Sequence, residues 1–267
     1  MSKSDLDERL SLARDVAREG GAMMLSAFRG RGGEPVHTFK GSHDYLTETD
    51  GAIERMVRGR IAAAFPADSF LGEETVGDKT GAKLGRDVWV VDPIDGTANF
   101  ARGVPHFCIS IAFVRDNRCE IGVVYDPIHD ELYAARRGSG ATRNGMPIRV
   151  SGIEDIGQSI VEAGWSLRVP NDRYLALVEE LYRAGAQVKR AGSGTLGLAY
   201  VADGRSDAYC ELHINSWDAL AALLLVEEAG GYVNDFLAHD GLRRGNAVLG
   251  CTPAISRIVL RAMKLQP

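Results

Sequence analysis

The chain has 267 residues, 45% hydrophobic and 25% charged, an ordinary globular composition that excludes disorder and fits one compact unit with two halves. With 31 Lys and Arg against 36 Asp and Glu the net charge is −5, and no basic run exceeds pairs such as Arg136-Arg137, so a nucleic-acid partner is not expected. The longest apolar run, Ala219 to Val226, falls well short of the ~20 residues that span a membrane, and the opening MSKSDLDERL lacks the apolar stretch of an export signal.

Asp5 to about Phe28 has apolar residues at helical spacing, and the cluster Gly30, Gly32, Gly33 and Pro35 ends that helix. The hinge FKGSHDYLTETD leads to a second helix over 50–64, with Thr49 or Asp50 as its cap. SFLGEE reads as a strand entering a turn, and DVWVV (87–91) as a buried strand running into DPIDGTANF. CISIAFV, CEIGVVYD and ELYAARR, parted by Asp116-Asn117 and Asp126-Pro127, form an antiparallel meander. From about residue 155 strands and helices alternate: SIVEAGW, NDRYLALVEELYRAG, AQVKRAG, GTLGLAYVADG, SDAYCEL, NSWDALAALLLVEEAGG, NAVLGCT and a last helix. Such alternation predicts a mainly parallel sheet covered by helices. The expected organisation is a half over 1–154 with an antiparallel sheet and an α/β half over 155–267, together one structural unit. The four cysteines are widely spaced with no C-x-x-C, and the six histidines form no H-x-x-x-H pair. Reduced thiols in a cytoplasm fit better than disulfides or zinc.

The chemistry gathers on acids. Asp92 and Asp95 leave a buried strand three residues apart, with Pro93 and Gly96 shaping the turn, and Gly96-Thr97-Ala98 opens a short helix. Oxygen ligands with few histidines select Mg²⁺ or Mn²⁺. Glu73 and Glu74 end a strand, and Asp218 occupies the third position of a long apolar helix capped by Asn215. Taken singly, each has a structural reading: D-P and D-G as turn dipeptides, Glu73-Glu74 as an exposed acidic loop, Asp218 and Asp50 as helix-start acids.

Taken together, KGSHDYLTETD (Lys40 to Asp50), Gly72-Glu73-Glu74, DPIDGT (Asp92 to Thr97) and Trp217-Asp218 through E-E-A-G-G ending at Gly231 resemble the inositol monophosphatase family over nearly the whole chain. That resemblance implies a layered α/β/α/β/α sandwich with mixed antiparallel and parallel sheets. It also implies a Mg²⁺-dependent phosphomonoesterase, commonly a homodimer, using two or three Mg²⁺ with Mn²⁺ as a substitute. Carried across, Glu73, Asp92 and the carbonyl of Ile94 hold a first metal, and Asp92, Asp95 and Asp218 a second. Thr97 with Asp50, and Glu73, help deprotonate a water activated there for in-line attack. Metal catalysis suits the barrier: phosphate monoester hydrolysis is accelerated up to ~10²¹-fold, where one acid–base pair supplies about 10²–10⁴.

For the substrate, the resemblance assigns Asp95, Gly96, Thr97, Gly192, Ser193, Thr195, Glu211 and Asp218, with Glu211 reading a sugar hydroxyl or else remaining a solvated strand-end acid. Gly194 and Thr195, the H-I-N-S segment from His213 to Ser216, and Ala222 depart from the family pattern and leave polyol selectivity open. Myo-inositol monophosphate is the first expectation, and histidinol phosphate or another sugar or nucleotide phosphate the alternative. A third reading, of another class, is a partner of the transcription or ribosome machinery. His213 is expected to be a structural or pocket-wall residue.

Overall fold

Alternate residues of the strand Asp87–Asp95 face two different cores: Trp89 and Val91 join one buried cluster, Val88 and Val90 another. A strand apolar on both faces must lie in a sheet covered on both sides. The structure, a computed structural model describing residues 3–30, 38–41, 44–74 and 84–265, shows what does the covering. Its first half runs α1 (Lys3–Gly30), β1 (Thr38–Gly41), β2 (Asp44–Leu46), α2 (Glu48–Ala64), β3 (Ser69–Gly72), β4 (Asp87–Asp95), α3 (Thr97–Arg102), β5 (Cys108–Arg115), β6 (Arg118–Asp126), β7 (Glu131–Arg136), β8 (Ala141–Arg143) and β9 (Met146–Pro147). The second half continues β10 (Ile160–Ala163), α4 (Asn171–Arg183), β11 (Gln187–Lys189), α5 (Gly194–Ala202), β12 (Ala208–Ile214), α6 (Ser216–Glu228), β13 (Tyr232–Val233), α7 (Gly241–Arg244), β14 (Asn246–Cys251) and α8 (Ser256–Met263).

Five layers result. Helices α1 and α2 place Ala13, Val16, Met24, Ile53 and Val57 against Trp89, Ile109, Ile111 and Phe113 on one face of a seven-stranded sheet, β3 through β9 in order. On its other face, α5 and α6 pack through Leu196, Leu198 and residues 219–226, and the same helices cover Tyr209 and Val248 of a five-stranded sheet. Helices α4 and α8 close the far side with Leu177, Leu181, Val259 and Leu260. Helix α6 lies between two sheets, so residues 219–226 are buried all round, which explains the apolar run without any membrane role. No helix among the described residues is long and apolar enough to cross a membrane.

The layered α/β architecture matches the expectation, and Asp116 and Asn117 make the expected hairpin turn with φ of 50° and 58°. Two readings need correction. The second sheet, ordered β11-β10-β12-β14-β13, is only half parallel: β10 runs parallel to β11 and β12, while β14 is antiparallel to β12 and β13. Alternating helix and strand does not fix direction when the chain returns without crossing a layer, as it does through residues 234–245. The cap of α2 is Thr47, one turn before Asp50, rather than Thr49 or Asp50; Asp50 is the acid at the third helical position that accepts the Thr47 N–H at 2.9 Å. The predicted break at Gly32, Gly33 and Pro35, and Ser42-His43 of the hinge, lie outside the described residues.

The E-E-A-G-G signature proves to be a splice between layers. Arg137 donates to both oxygens of Glu227, at 2.6 and 2.8 Å, and Glu228 accepts the backbone N–H groups of Gly138, Ser139 and Gly140. Nearby, β6 passes so close to α6 that a Cβ on Gly122 would sit 2.2 Å from the carbonyl oxygen of Ala221. Backbone on both sides of that contact leaves little room to yield. Gly122→Ala is therefore expected to cost about 1–3 kcal/mol in urea unfolding, the usual range for overpacking.

Candidate active site

Asp92 and Asp95 sit three residues apart, so in a regular strand they would face opposite sides of the sheet. The pairing of β4 with β5 shifts register between them, and this irregularity turns both carboxylates toward α6. Asp218 comes to meet them from the first turn of α6. One oxygen from each of Asp92, Asp95 and Asp218 lies within 4.8 Å of the others.

Each carboxylate is held from behind. Asp92 accepts the N–H of Ile94 at 2.9 Å, and Asp95 accepts the N–H of Thr195 at 2.8 Å together with the Ser193 hydroxyl. The Asn215 backbone donates to Asp218. Burial leaves these acids short of solvation, and it is the main cause raising all three. Asp218 is pushed up to about 7 by burial and then by Asp95. Asp92 is driven well above the usual carboxylate range by burial and then by Glu73, Asp218 and Asp95. Asp95 rises through burial against the bonds from Ser193 and Thr195. An all-oxygen donor set, buried, mutually repelling and narrow, is the chemistry that a hard divalent cation fits.

Around the acids opens a cavity of about 510 Å³. Ile94, Gly96, Thr97, Gly192, Ser193, Glu211 and Glu73 line it. Glu73 raises Asp92 through its charge but is not one of the three acids that meet within 4.8 Å. Gly96 adopts φ of 93°, a left-handed turn that carries the chain from β4 into α3. The Thr97 hydroxyl donates to the Ile94 carbonyl at 2.7 Å and to Asp50 at 3.4 Å. Asp50 stands behind the cavity wall, and burial pushes it up to about 6 against the hydrogen bonds from Thr47.

Glu211 is no solvated strand-end acid: it is 6% exposed, accepts from the Tyr209 hydroxyl at 2.7 Å, and is pushed up to about 8, chiefly by burial. Thr195 departs from its expected place in the pocket lining. It is fully buried, and its hydroxyl turns to the Asp218 carbonyl at 2.8 Å. Its backbone positions Asp95 instead. His213 binds the Arg244 carbonyl at 3.0 Å, a structural contact as expected.

Sequence reasoning missed the clamp on the loop before Ser193. Asn99 donates to the carbonyls of His106 and Ala191 at 2.9 and 3.0 Å, and Glu162 accepts the Ala191 N–H at 2.9 Å. The Asn in DGTANF was visible, yet nothing in its spacing pointed across 92 residues to Ala191. Trp165, Arg168 and Arg190 on the cavity wall were missed as well, since loop residues carry no periodicity.

The inositol monophosphatase family model matches residues 5–257. A Nus factor SuhB of Pseudomonas aeruginosa is 39% identical over 256 residues, spanning 94% of each chain. Among solved structures, an extragenic suppressor protein suhB from Bartonella henselae superposes with a TM-score of 0.86 at 31% identity, covering 96% of this chain and 98% of the other. An inositol monophosphatase from Anabaena (Nostoc) sp. PCC 7120 gives 0.83 at 34% identity, covering 98% of both.

The acid cluster makes a signed prediction. Asp218 and Asp50 have folded values of about 7 and about 6 against ordinary values of 3.8, so folding takes up protons between roughly pH 4 and pH 7. Their contribution to the stability of metal-free protein therefore falls as pH rises through that window. A divalent cation held by these acids would bind their ionised forms, so its stabilisation would grow over the same range. The Mg²⁺-induced rise in Tm over protein in EDTA is expected to be larger at pH 8 than at pH 5.5; a pH-independent rise contradicts this.

Proposed function

The chain belongs to the inositol monophosphatase family, and from that membership we propose that it is a Mg²⁺-dependent phosphatase that hydrolyses a small phosphate monoester to an alcohol and inorganic phosphate. The observation that carries this reading is the meeting of Asp92, Asp95 and Asp218 on the wall of an open cavity. Those three acids, with Glu73 and the Ile94 carbonyl, would hold Mg²⁺, two or three ions in all, with Mn²⁺ as a substitute. The bound cations supply charge that polarises the phosphoryl oxygens and stabilises the departing alkoxide.

This chain's own groups do the remaining work. Ser193 and Thr195 fix Asp95, so the donor set is organised before the ester arrives. Thr97 is aimed by the Ile94 carbonyl, and its contact with Asp50 gives a route for the attacking water's proton: Thr97 Oγ1 accepts it while passing its own to Asp50 Oδ1. With a value of about 6, Asp50 accepts a proton at neutral pH without being a weak base. Glu73 is a second candidate acceptor on the same wall. Gly96, Thr97, Gly192 and Ser193 flank the phosphate position, and Glu211 is placed to accept from a hydroxyl of the leaving alcohol.

Myo-inositol monophosphate is the substrate we propose first, in line with the likeness to the Anabaena inositol monophosphatase. Histidinol phosphate or another sugar or nucleotide phosphate is the alternative, because Gly194, Ile214 and Asn215, from segments that depart from the family pattern, line the cavity. A cytoplasmic location and a homodimer belong to the same proposal; the location is supported by four buried cysteines, all unbridged. A second reading, contact with the transcription machinery, is favoured by the likeness to the Pseudomonas Nus factor alone. Co-purification of RNA polymerase with a metal-site variant would support it.

Asp95→Asn is expected to lower kcat by about a thousandfold or more while the fold persists, because a buried oxygen that meets the other two acids becomes an amide. Phosphate release from inositol 1-phosphate and histidinol phosphate with and without Mg²⁺, alongside circular dichroism, checks this. Substantial turnover by the variant at saturating Mg²⁺ contradicts the role, and a kcat/KM ratio favouring histidinol phosphate reverses the substrate choice.

A further inference from the structure

Two guanidinium groups on the cavity wall are left over by the reaction described above. Other arginines of the chain are committed: Arg137 grips Glu227, Arg143 binds Asp203, and Arg205 binds Glu131. Arg168 and Arg190 line the same cavity as Asp92, Asp95 and Asp218, yet neither guanidinium makes an ion pair or a hydrogen bond among the described residues. Arg190 is not adrift, since its guanidinium carbon stands 5.6 Å from the centroid of the Trp165 ring. That ring is itself anchored, its indole N–H donating to Asn171 at 2.8 Å. Arg168 follows a turn in which its backbone N–H donates to the Ser166 hydroxyl at 3.1 Å. Glu211, raised chiefly by burial, is drawn partly back by the charge of Arg168, so that arginine is felt inside the leaving-group pocket.

A cation held by Asp92, Asp95 and Asp218 would offset the charge of the scissile phosphate, so these arginines are not needed there. Unpaired guanidinium groups lining a cavity favour planar, bidentate oxyanions. We infer that Arg168 and Arg190 form a second anion subsite, and that the preferred leaving alcohol carries a carboxylate or a second phosphate at the end remote from the scissile ester. The inference rests on the phosphatase reading for which ester is cut, and it extends that reading from neutral polyols to anionic leaving groups. Trp165 would wall the subsite and hold Arg190 ready.

Binding separates the two claims. Isothermal titration in Ca²⁺, a cation that accepts oxygen ligands, compares fructose 1,6-bisphosphate with fructose 1-phosphate, and 6-phosphogluconate with glucitol 6-phosphate. The charged member of each pair is expected to bind wild-type protein at least about tenfold more tightly, the scale of one charge-assisted hydrogen bond. Arg168→Gln with Arg190→Gln should reduce that ratio to less than about threefold, and Lys at both positions should restore part of it. Wild-type ratios near one in both pairs, no binding of any of the four esters, or a preference that survives the double Gln variant overturns the subsite. The two sources of charge divide in the two pairs: preference in the gluconate pair alone assigns a carboxylate, and in the fructose pair alone a phosphate. A separate assay for phosphate release with Mg²⁺ bears on the phosphatase reading, since failure to cleave any of the four esters removes that reading while the binding ratios stand.

Discussion

Like charges repel, and this protein places three carboxylates within 4.8 Å of one another, those of Asp92 and Asp95 buried and that of Asp218 half-buried. In a medium of reduced dielectric that arrangement is costly unless protons or cations offset it. The remaining architecture can be understood as what makes the arrangement persist. A register shift in β4 aims two acids, and a helix buried between two sheets delivers the third. A loop clamped by Asn99 and Glu162 then supplies the donors that hold Asp95. A flexible scaffold would let the acids drift apart. Here each is tied to backbone, so the repulsion persists until protons or cations offset it.

Helix α6 links stability to the site. Its N-terminal turn carries Asp218, its middle is buried against both sheets, and its C-terminal Glu227 and Glu228 are bonded to the residues 137–140 turn. Packing faults along its length therefore reach the acid cluster without touching it. Thr195 shows the same economy at smaller scale, its backbone serving Asp95 and its hydroxyl serving the Asp218 carbonyl. One residue thus registers the two halves of the cluster against each other.

Much of this was legible in the sequence, for identifiable reasons. Asp92, Asp95, Gly96 and Thr97 sit in one local motif, and local geometry follows from local residue types. The unbroken apolar run at the start of β4 marked a buried strand, and that of α6 a long apolar helix. Other features depend on contacts between distant segments. The convergence of Asp218 on Asp95 came from family resemblance, since no spacing rule spans that distance. Strands β8, β9 and β13, of three, two and two residues, are too short to show alternation. The direction of β14 depends on a connection that stays within its layer. Thr195 looked like a pocket hydroxyl because sequence places a residue on a loop but not its side chain on one side of it.

The most direct test of the account is a crystal grown with Mn²⁺ and measured for anomalous scattering at the manganese edge. Density peaks bonded to oxygens of Asp92, Asp95 and Asp218, with at least one peak shared by two of the acids, are the predicted result. Well-ordered carboxylates in their described positions with no anomalous peak among them would contradict it.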